Sequence, residues 1–186
     1  MSDFVILQEM IKDAATVPLV DKYDRKIVTL AEPQHTHSSV TIAGIPDDAV
    51  VIKADVFNPP TSVFNDTMGE CKRADFVIIA DADNKKVILC IEMKAGKGGT
   101  EREIIQQLKG AQCFVAYCRE IGRAFWNTPN FLAGYRYRFV SIRESSISKR
   151  PTRVDTKTDA HDRPDQMLKI SGRRFLQFNH LAGGKY

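Results

Sequence analysis

The chain has 186 residues, a formal net charge of +4, 43% hydrophobic residues and 27% charged residues. Those values suit one globular domain that buries a core without disulfides or structural metals. The mild positive charge permits a phosphate-bearing partner but does not require one. No segment is long and apolar enough to span a membrane, and Met-Ser-Asp-Phe at the N-terminus lacks the basic and apolar pattern of a signal peptide. The expectation is a cytoplasmic protein with no membrane partner. Cys71, Cys90, Cys113 and Cys118 form no CxxC pair. They read as small buried hydrophobes in a reducing compartment rather than as a zinc site.

In chain order, residues 3–15 predict a helix capped by Ser2 or Asp3, with Phe4, Leu7, Ile11 and Ala14 on one face. Pro18 marks its end. Arg25–Leu30, Val40–Ala43 and Ala49–Val56 are β-branched runs separated by turn residues. Residues 61–71 read as a loop. Arg73–Ala80 and Lys86–Lys94 are two strong strands joined by a turn at Asp81–Asn84. Gly96-Lys97-Gly98-Gly99-Thr100 then leads into a helix over about Thr100–Ile121, with Thr100 and Glu103 at capping-box spacing. Tyr135–Arg143 predicts a further strand. Residues 145–164 are polar and read as a mobile loop, and 165–178 as a hairpin turning at Ser171-Gly172. The sum is one mixed α/β domain over 1–186, with a core to about 144 and a C-terminal extension over 165–186.

The strand Lys86–Lys94 carries the chemistry. Side chains alternate between faces, so Val87, Leu89, Ile91 and Met93 point one way and Ile88, Cys90, Glu92 and Lys94 the other. Both faces are apolar until two charges appear on one of them, as expected of a central strand that ends at a cleft. A turn centred on Asp83-Asn84 sets Asp75 directly across from Glu92, on the same face. Two carboxylates that close repel unless a cation lies between them, and a divalent ion with oxygen ligands meets that need. Lys94, two residues beyond Glu92, can orient a water or steady developing phosphate charge. On the next helix Ile104, Leu108, Ala111, Val115 and Cys118 form the buried stripe. Gln107 flanks that stripe, and Gln106 points to solvent.

The run Arg73-Ala74-Asp75-Phe76, the hairpin after it, and Ile91-Glu92-Met93-Lys94 resemble the PD-(D/E)XK (restriction-endonuclease-like) nuclease superfamily. The resemblance covers roughly residues 69–117. It implies an αβββαβ core around a mixed central sheet with helices on its faces. It also implies Mg²⁺ (or Mn²⁺) on Asp75 and Glu92, Lys94 assisting the attacking water, and hydrolysis that leaves a 5′-phosphate. Gln107 matches a glutamine common on the following helix, and Glu9 the extra acidic residue that some members supply from their first helix. Ala74 stands where the motif has proline.

The expectation is a Mg²⁺-dependent nuclease acting on nucleic acid, DNA first. Lys97, Arg136 and Arg138 are candidate nucleic-acid contacts, the two arginines on the opposite face of their strand from Tyr135 and Tyr137. One active site cuts one strand, so duplex cleavage would call for a homodimer. The rivals are an inactive nucleic-acid-binding module on the same fold, and an accessory or interaction protein in which Asp75, Glu92 and Lys94 form a structural ion-pair cluster. The glycine-rich segment lacks the Walker A spacing and reads as a connector. His35 and His37 read as exposed loop residues.

Overall fold

The structure is a computed structural model that describes residues 1–22, 24–31, 39–82, 85–95, 98–144 and 161–183. It begins with helix α1 (Asp3–Met10), whose first turn is capped by the Ser2 hydroxyl accepting from the Val5 N–H. The helix ends earlier than its apolar pattern predicts, followed by a 3-10 turn at Asp13–Ala15. Tertiary pairing is the reason. Thr16 bridges Ile52, and the Val17 N–H donates to the Val51 carbonyl, which draws the chain out into an edge.

Among the described residues nine strands follow, in two sheets. β1 (Val20–Lys22), β2 (Arg25–Ala31) and β3 (Ser39–Ile45) form an antiparallel meander. β4 (Asp48–Lys53), β5 (Phe76–Ala82) and β6 (Lys85–Ala95) form a second. Helix α2 (Glu101–Phe125) crosses over to β7 (Arg136–Glu144), which lies parallel to β6. β8 (Leu168–Ser171) extends this sheet beside β7, giving the order β4-β5-β6-β7-β8. β9 (Phe175–Gln177) pairs with β3 in the other sheet, and the short helix α3 (Phe178–Leu181) follows.

The five-stranded sheet is the middle layer. On one face Val77, Ile79, Ile88, Cys90 and Phe139 pack against Ile6 and Leu7 of α1 and Ile104, Leu108, Ala111 and Val115 of α2. On the other, Phe76, Ile78, Leu89, Ile91 and Val140 pack against Val28, Leu30 and Ile42 of the four-stranded sheet. β6 is therefore buried on both faces, as its two apolar sides require. The mixed α/β class is as expected. The expected helical cover on both faces is not found: the second face is covered by a sheet and α3. The four-stranded sheet packs there because β2 and β3 each carry a single apolar face, which must be buried against another layer.

Residues 165–178 do not form a hairpin. The turn does fall at Gly172, in the left-handed conformation, but it sends β8 and β9 to different sheets. The open edges of β7 and β3 supply more backbone partners than a four-residue and a three-residue strand could give each other. Residues 161–164, expected within the mobile loop, are packed: His161 is buried and its carbonyl accepts from the Phe139 N–H. Residues 145–160 lie outside the described residues. Of the four cysteines, Cys71, Cys90 and Cys118 are buried and all are free. Cys113 is exposed on α2, against expectation, because it lies off the buried stripe.

Two glycines fix how α2 seats. A Cβ on Gly110 would overlap the Lys72 carbonyl, and one on Gly122 would overlap the Phe131 ring. A helix-interior glycine costs about 1 kcal/mol relative to alanine, so Gly110→Ala would stabilise an unencumbered helix. Here the overlap with backbone dominates, and we expect a net loss of about 2 kcal/mol, seen as a lower Tm in thermal unfolding. A rise in Tm would mean that residues 72–73 do not dock on α2.

Candidate functional site

The β5–β6 ladder runs from Ala82 opposite Lys85 to Phe76 opposite Ile91. One step further on, Asp75 faces Glu92, which is the register the turn position predicts. The residue just before β5 is held there from both sides. Its carbonyl accepts from the Ala54 N–H at 2.8 Å, and Asp75 Oδ2 accepts from the Met93 N–H at 2.7 Å. Asp75 thus clamps the end of β5 to the end of β6. Val77 and Ile79 share its parity and face α2, as do Ile88 and Cys90 on the Glu92 side. Both carboxyl groups therefore lie on the helix side of the sheet.

Glu92 is fully buried, with 0% exposure. Lys94 Nζ lies 2.6 Å from Glu92 Oε1. The contact is a close ion pair at hydrogen-bond distance, while Glu92 Oε2 is buried without a hydrogen-bond partner. Burial pushes the Glu92 carboxyl up to about 8, and the negative charge of Asp75 adds to the shift. Lys94 pulls the other way without cancelling it. The group is a carboxyl short of positive charge.

Lys94 is half-buried and seated by its neighbours. Gly99 has φ +76, and a Cβ there would sit 3.2 Å from Lys94 Cε, so glycine answers both the backbone conformation and the space. The Gly99 carbonyl accepts from Arg143 Nη2 at 3.0 Å. Thr100 and Glu103 close the predicted capping box of α2. The charges of Lys72 and Lys94 help to hold the Glu103 carboxyl below its ordinary range, after its hydrogen bonds to Thr100.

The parallel pairing of β6 and β7 brings in residues that the sequence reading passed over. Ser141 stands beside Glu92, and Arg143 beside Lys94. Ser171 stands beside Arg143 on the next strand. Ser141, Arg143, Glu101, Met167 and Lys169 line a cleft of about 210 Å³ on the β7–β8 side of Glu92. Lys169 is paired with Glu101 at 2.8 Å. The signal for Arg143 was present: a strand–helix–strand crossover returns parallel, so the far end of Tyr135–Arg143 must meet the far end of Lys86–Lys94.

Other candidates lie elsewhere. Gln107 is half-buried, one turn beyond Glu103, and its Oε1 is buried without a hydrogen bond. Gln106, expected in solvent, donates from Nε2 to the Met68 carbonyl at 2.8 Å and packs on Gly69, because the 61–71 segment folds over α2. Glu9 is not at the site. It accepts from Trp126 Nε1 at 2.9 Å at the opposite end of α2, and that helix is roughly 37 Å long. Arg138 is buried beneath Gly183 and donates to the Tyr137 carbonyl. Arg136 is exposed, but it pairs with Val87 at the start of β6, and its alternation places it with Arg138, away from α2. The two arginines therefore form no surface with Lys94. Lys97, His35 and His37 lie outside the described residues. Among the described residues no group of three or more His, Cys, Asp or Glu side chains converges, so the acidic pair is Asp75 and Glu92. No helix among them is long and apolar enough to cross a membrane.

Compared with protein-family models, curated proteins and solved structures, the chain matches none. What the site does is therefore argued from its own chemistry.

The raised Glu92 group has a pH signature. In the folded chain it holds its proton to about pH 8, whereas unfolded it releases it near the ordinary value of 4.5. Between those values the folded state binds more protons, so stability falls as pH rises. We expect the metal-free chain to lose Tm relative to Glu92→Gln between about pH 4.5 and 8 and to level off above. Parallel Tm curves for the two proteins would refute the raised carboxyl.

Proposed function

We propose that this chain is a Mg²⁺-dependent nuclease that hydrolyses phosphodiester bonds, most directly in DNA, with Asp75 and Glu92 as metal ligands and Lys94 beside them. One observation carries the reading. A fully buried glutamate, with Lys94 on one oxygen and the other buried without a hydrogen bond, faces a second carboxylate near the end of a strand that is otherwise apolar on both sides. A buried oxygen without a donor, next to a second carboxylate, is the kind of feature that an ion or a reaction uses. The donor set is two hard carboxylate oxygens, which suits Mg²⁺ or Mn²⁺ rather than a soft metal. The element order supports the same reading. α1, the meander β4-β5-β6, α2 and the parallel β7 follow the αβββαβ order of the PD-(D/E)XK superfamily, with β1–β3 inserted after the first helix.

Bound Mg²⁺ supplies polarisation of a phosphoryl oxygen and a lowered pKa for water. The chain's own residues do the rest. Asp75 is fixed by its bond to the Met93 N–H, which would hold its carboxylate toward the ion. Glu92 would hold the ion only as the carboxylate, so binding would require loss of the proton that burial makes it keep. Lys94, on the same face, presents an ammonium that orients the attacking water or stabilises charge on the phosphate. Arg143 holds the Gly99 carbonyl and so keeps the chain after β6 packed against Lys94. Gln107, whose Oε1 is buried without a hydrogen bond, is the helix residue to which this reading gives the role of assisting water or substrate.

A second reading has an observation in its favour. The 2.6 Å contact of Lys94 with Glu92 also suits a structural ion pair in a non-catalytic binding or accessory module. The two readings part on metal and on stability. The test is supercoiled plasmid incubated with Mg²⁺ or Mn²⁺, beside EDTA, Lys94→Ala and Glu92→Gln. We expect metal-dependent nicking that falls by roughly 100-fold or more in each variant. We also expect Mg²⁺ to raise the Tm of the parent chain at pH 8 but not that of Glu92→Gln. The ion-pair reading predicts no response to Mg²⁺ and a lower Tm for Glu92→Gln at every pH. For Asp75 the clean variant is Asp75→Asn, since alanine would also strand the Met93 N–H. Failure to cut plasmid, single-stranded DNA and RNA would overturn the nuclease.

A further inference from the structure

On the helix side of the five-stranded sheet, two short rows of side chains run across β6, β7 and β8. Alternation sets them there. Phe139 packs toward α2, whereas Val140, Ile142 and Ile170 pack toward the other sheet. Ser141 and Arg143 on β7, and Lys169 and Ser171 on β8, therefore take the same side as Glu92 and Lys94. Strand pairing completes the rows. Glu92, Ser141 and Lys169 stand in one, and Lys94, Arg143 and Ser171 in the next. At the spacing of a sheet the Cα of Ser141 lies about 5 Å from that of Glu92, and the Cα of Lys169 about 10 Å.

The cleft of about 210 Å³ follows these rows. Ser141 and Arg143 line it from β7, Lys169 and Ser171 from β8, and Glu101 from the first turn of α2. Ser141 is buried while Lys169 and Ser171 are exposed, so Ser141 marks the closed end and Lys169 the open one. Arg143 Nη2 donates to the Gly99 carbonyl at 3.0 Å. That bond uses one of the five N–H donors of the guanidinium, and a neutral acceptor does not offset its charge. Lys169 has an acidic partner, Glu101 at 2.8 Å, and both side chains of the pair are 59% exposed. An ion pair so open to water is worth little, so another anion can take the place of the carboxylate at small cost. Two cations and two hydroxyls against one acid make the lining of an anion site, and Glu101 is the group that the anion displaces.

We propose that this cleft seats a phosphate of the substrate strand, the next one along from the phosphate attacked at Asp75 and Glu92. Arg143 and Ser141 donate to it from the β7 side, and Lys169 turns to it from Glu101. An anion held there lies alongside the acidic pair, one and two strands away, which suits a charged group of the same chain as the reacting phosphate. The inference rests on the nuclease reading for which phosphate is attacked, and it adds a neighbouring subsite to that site.

The test is fluorescence anisotropy of a labelled oligothymidylate in EDTA, which reads binding without cleavage. Arg143→Gln with Lys169→Gln should weaken binding roughly ten-fold, the scale of a hydrogen bond to a charged group. The same pair should flatten the salt dependence by a slope of about 0.7, as expected for losing one phosphate contact on a single strand. Glu101→Gln should do the reverse and tighten binding about two-fold or more. Glu120→Gln makes the same charge change near the far end of α2, at an exposed residue paired with Arg123, and should not tighten it. On an oligothymidylate with uncharged methylphosphonate linkages these differences should vanish, which a disturbed fold would not produce. Unchanged affinity and salt slope in the double variant, or Glu101→Gln no tighter than Glu120→Gln, would overturn the inference even with plasmid cleavage intact. Cleft-dependent binding of inorganic phosphate without binding of the oligonucleotide would overturn it too, since the site would then serve a free anion. Cleft-dependent binding of the oligonucleotide without any cleavage would uphold the cleft and remove only the nuclease.

Discussion

Strand β6 is sandwiched between two apolar layers, and yet near its end it carries a fully buried glutamate. That desolvated carboxyl is the constraint around which the rest of the site is arranged. A buried charge is costly unless it is neutralised, paired or bound to a cation. Here Lys94 approaches Glu92 closely, but Asp75 stands opposite and works against it, so the carboxyl holds its proton to about pH 8. Neither partner can move away. Asp75 is tied to the Met93 N–H and the Ala54 N–H, and Lys94 is packed against Gly99. A buried carboxyl held beside a second carboxylate is the ground on which the divalent cation is proposed.

The crossover from β6 through α2 to β7 determines what else surrounds that carboxyl. Because the return strand is parallel, its C-terminal end meets the C-terminal end of β6. Ser141 and Arg143 therefore stand beside Glu92 and Lys94. α2 lies flat on this face because Gly110 admits the backbone at Lys72 and Arg73, which in turn carries the chain into Asp75. The same close docking turns Gln106 toward the Met68 carbonyl. Positioning of the acidic pair and seating of the helix are thus one event in packing.

The second sheet does two things. Its inner face closes the core on the side of β6 away from α2, which keeps Met93 and Ile91 dry and the strand rigid. Its outer face carries Lys22, Arg25 and Phe175 along one groove. β8 and β9, split between the sheets by the turn at Gly172, tie the two sheets together.

Much of the site could be read from the chain alone, because strand alternation and a short turn are local rules. The two apolar faces of Lys86–Lys94, the pairing of Asp75 with Glu92, the place of Lys94, the capping box at Thr100 and the buried stripe of α2 all follow from residues close in sequence. What tertiary structure alone decided involves partners far apart. Glu9 went to Trp126, at the far end of α2, because the packing of α1 rather than its acidity sets its neighbours. Arg138 was drawn under Gly183. Ser141 and Arg143 entered through parallel pairing, and residues 168–177 were divided between two sheets because the free edges of β7 and β3 offered more hydrogen bonds than a local hairpin. Periodicity determines which face a side chain takes. Which element covers that face is settled by long-range burial and edge pairing, and no local pattern encodes it.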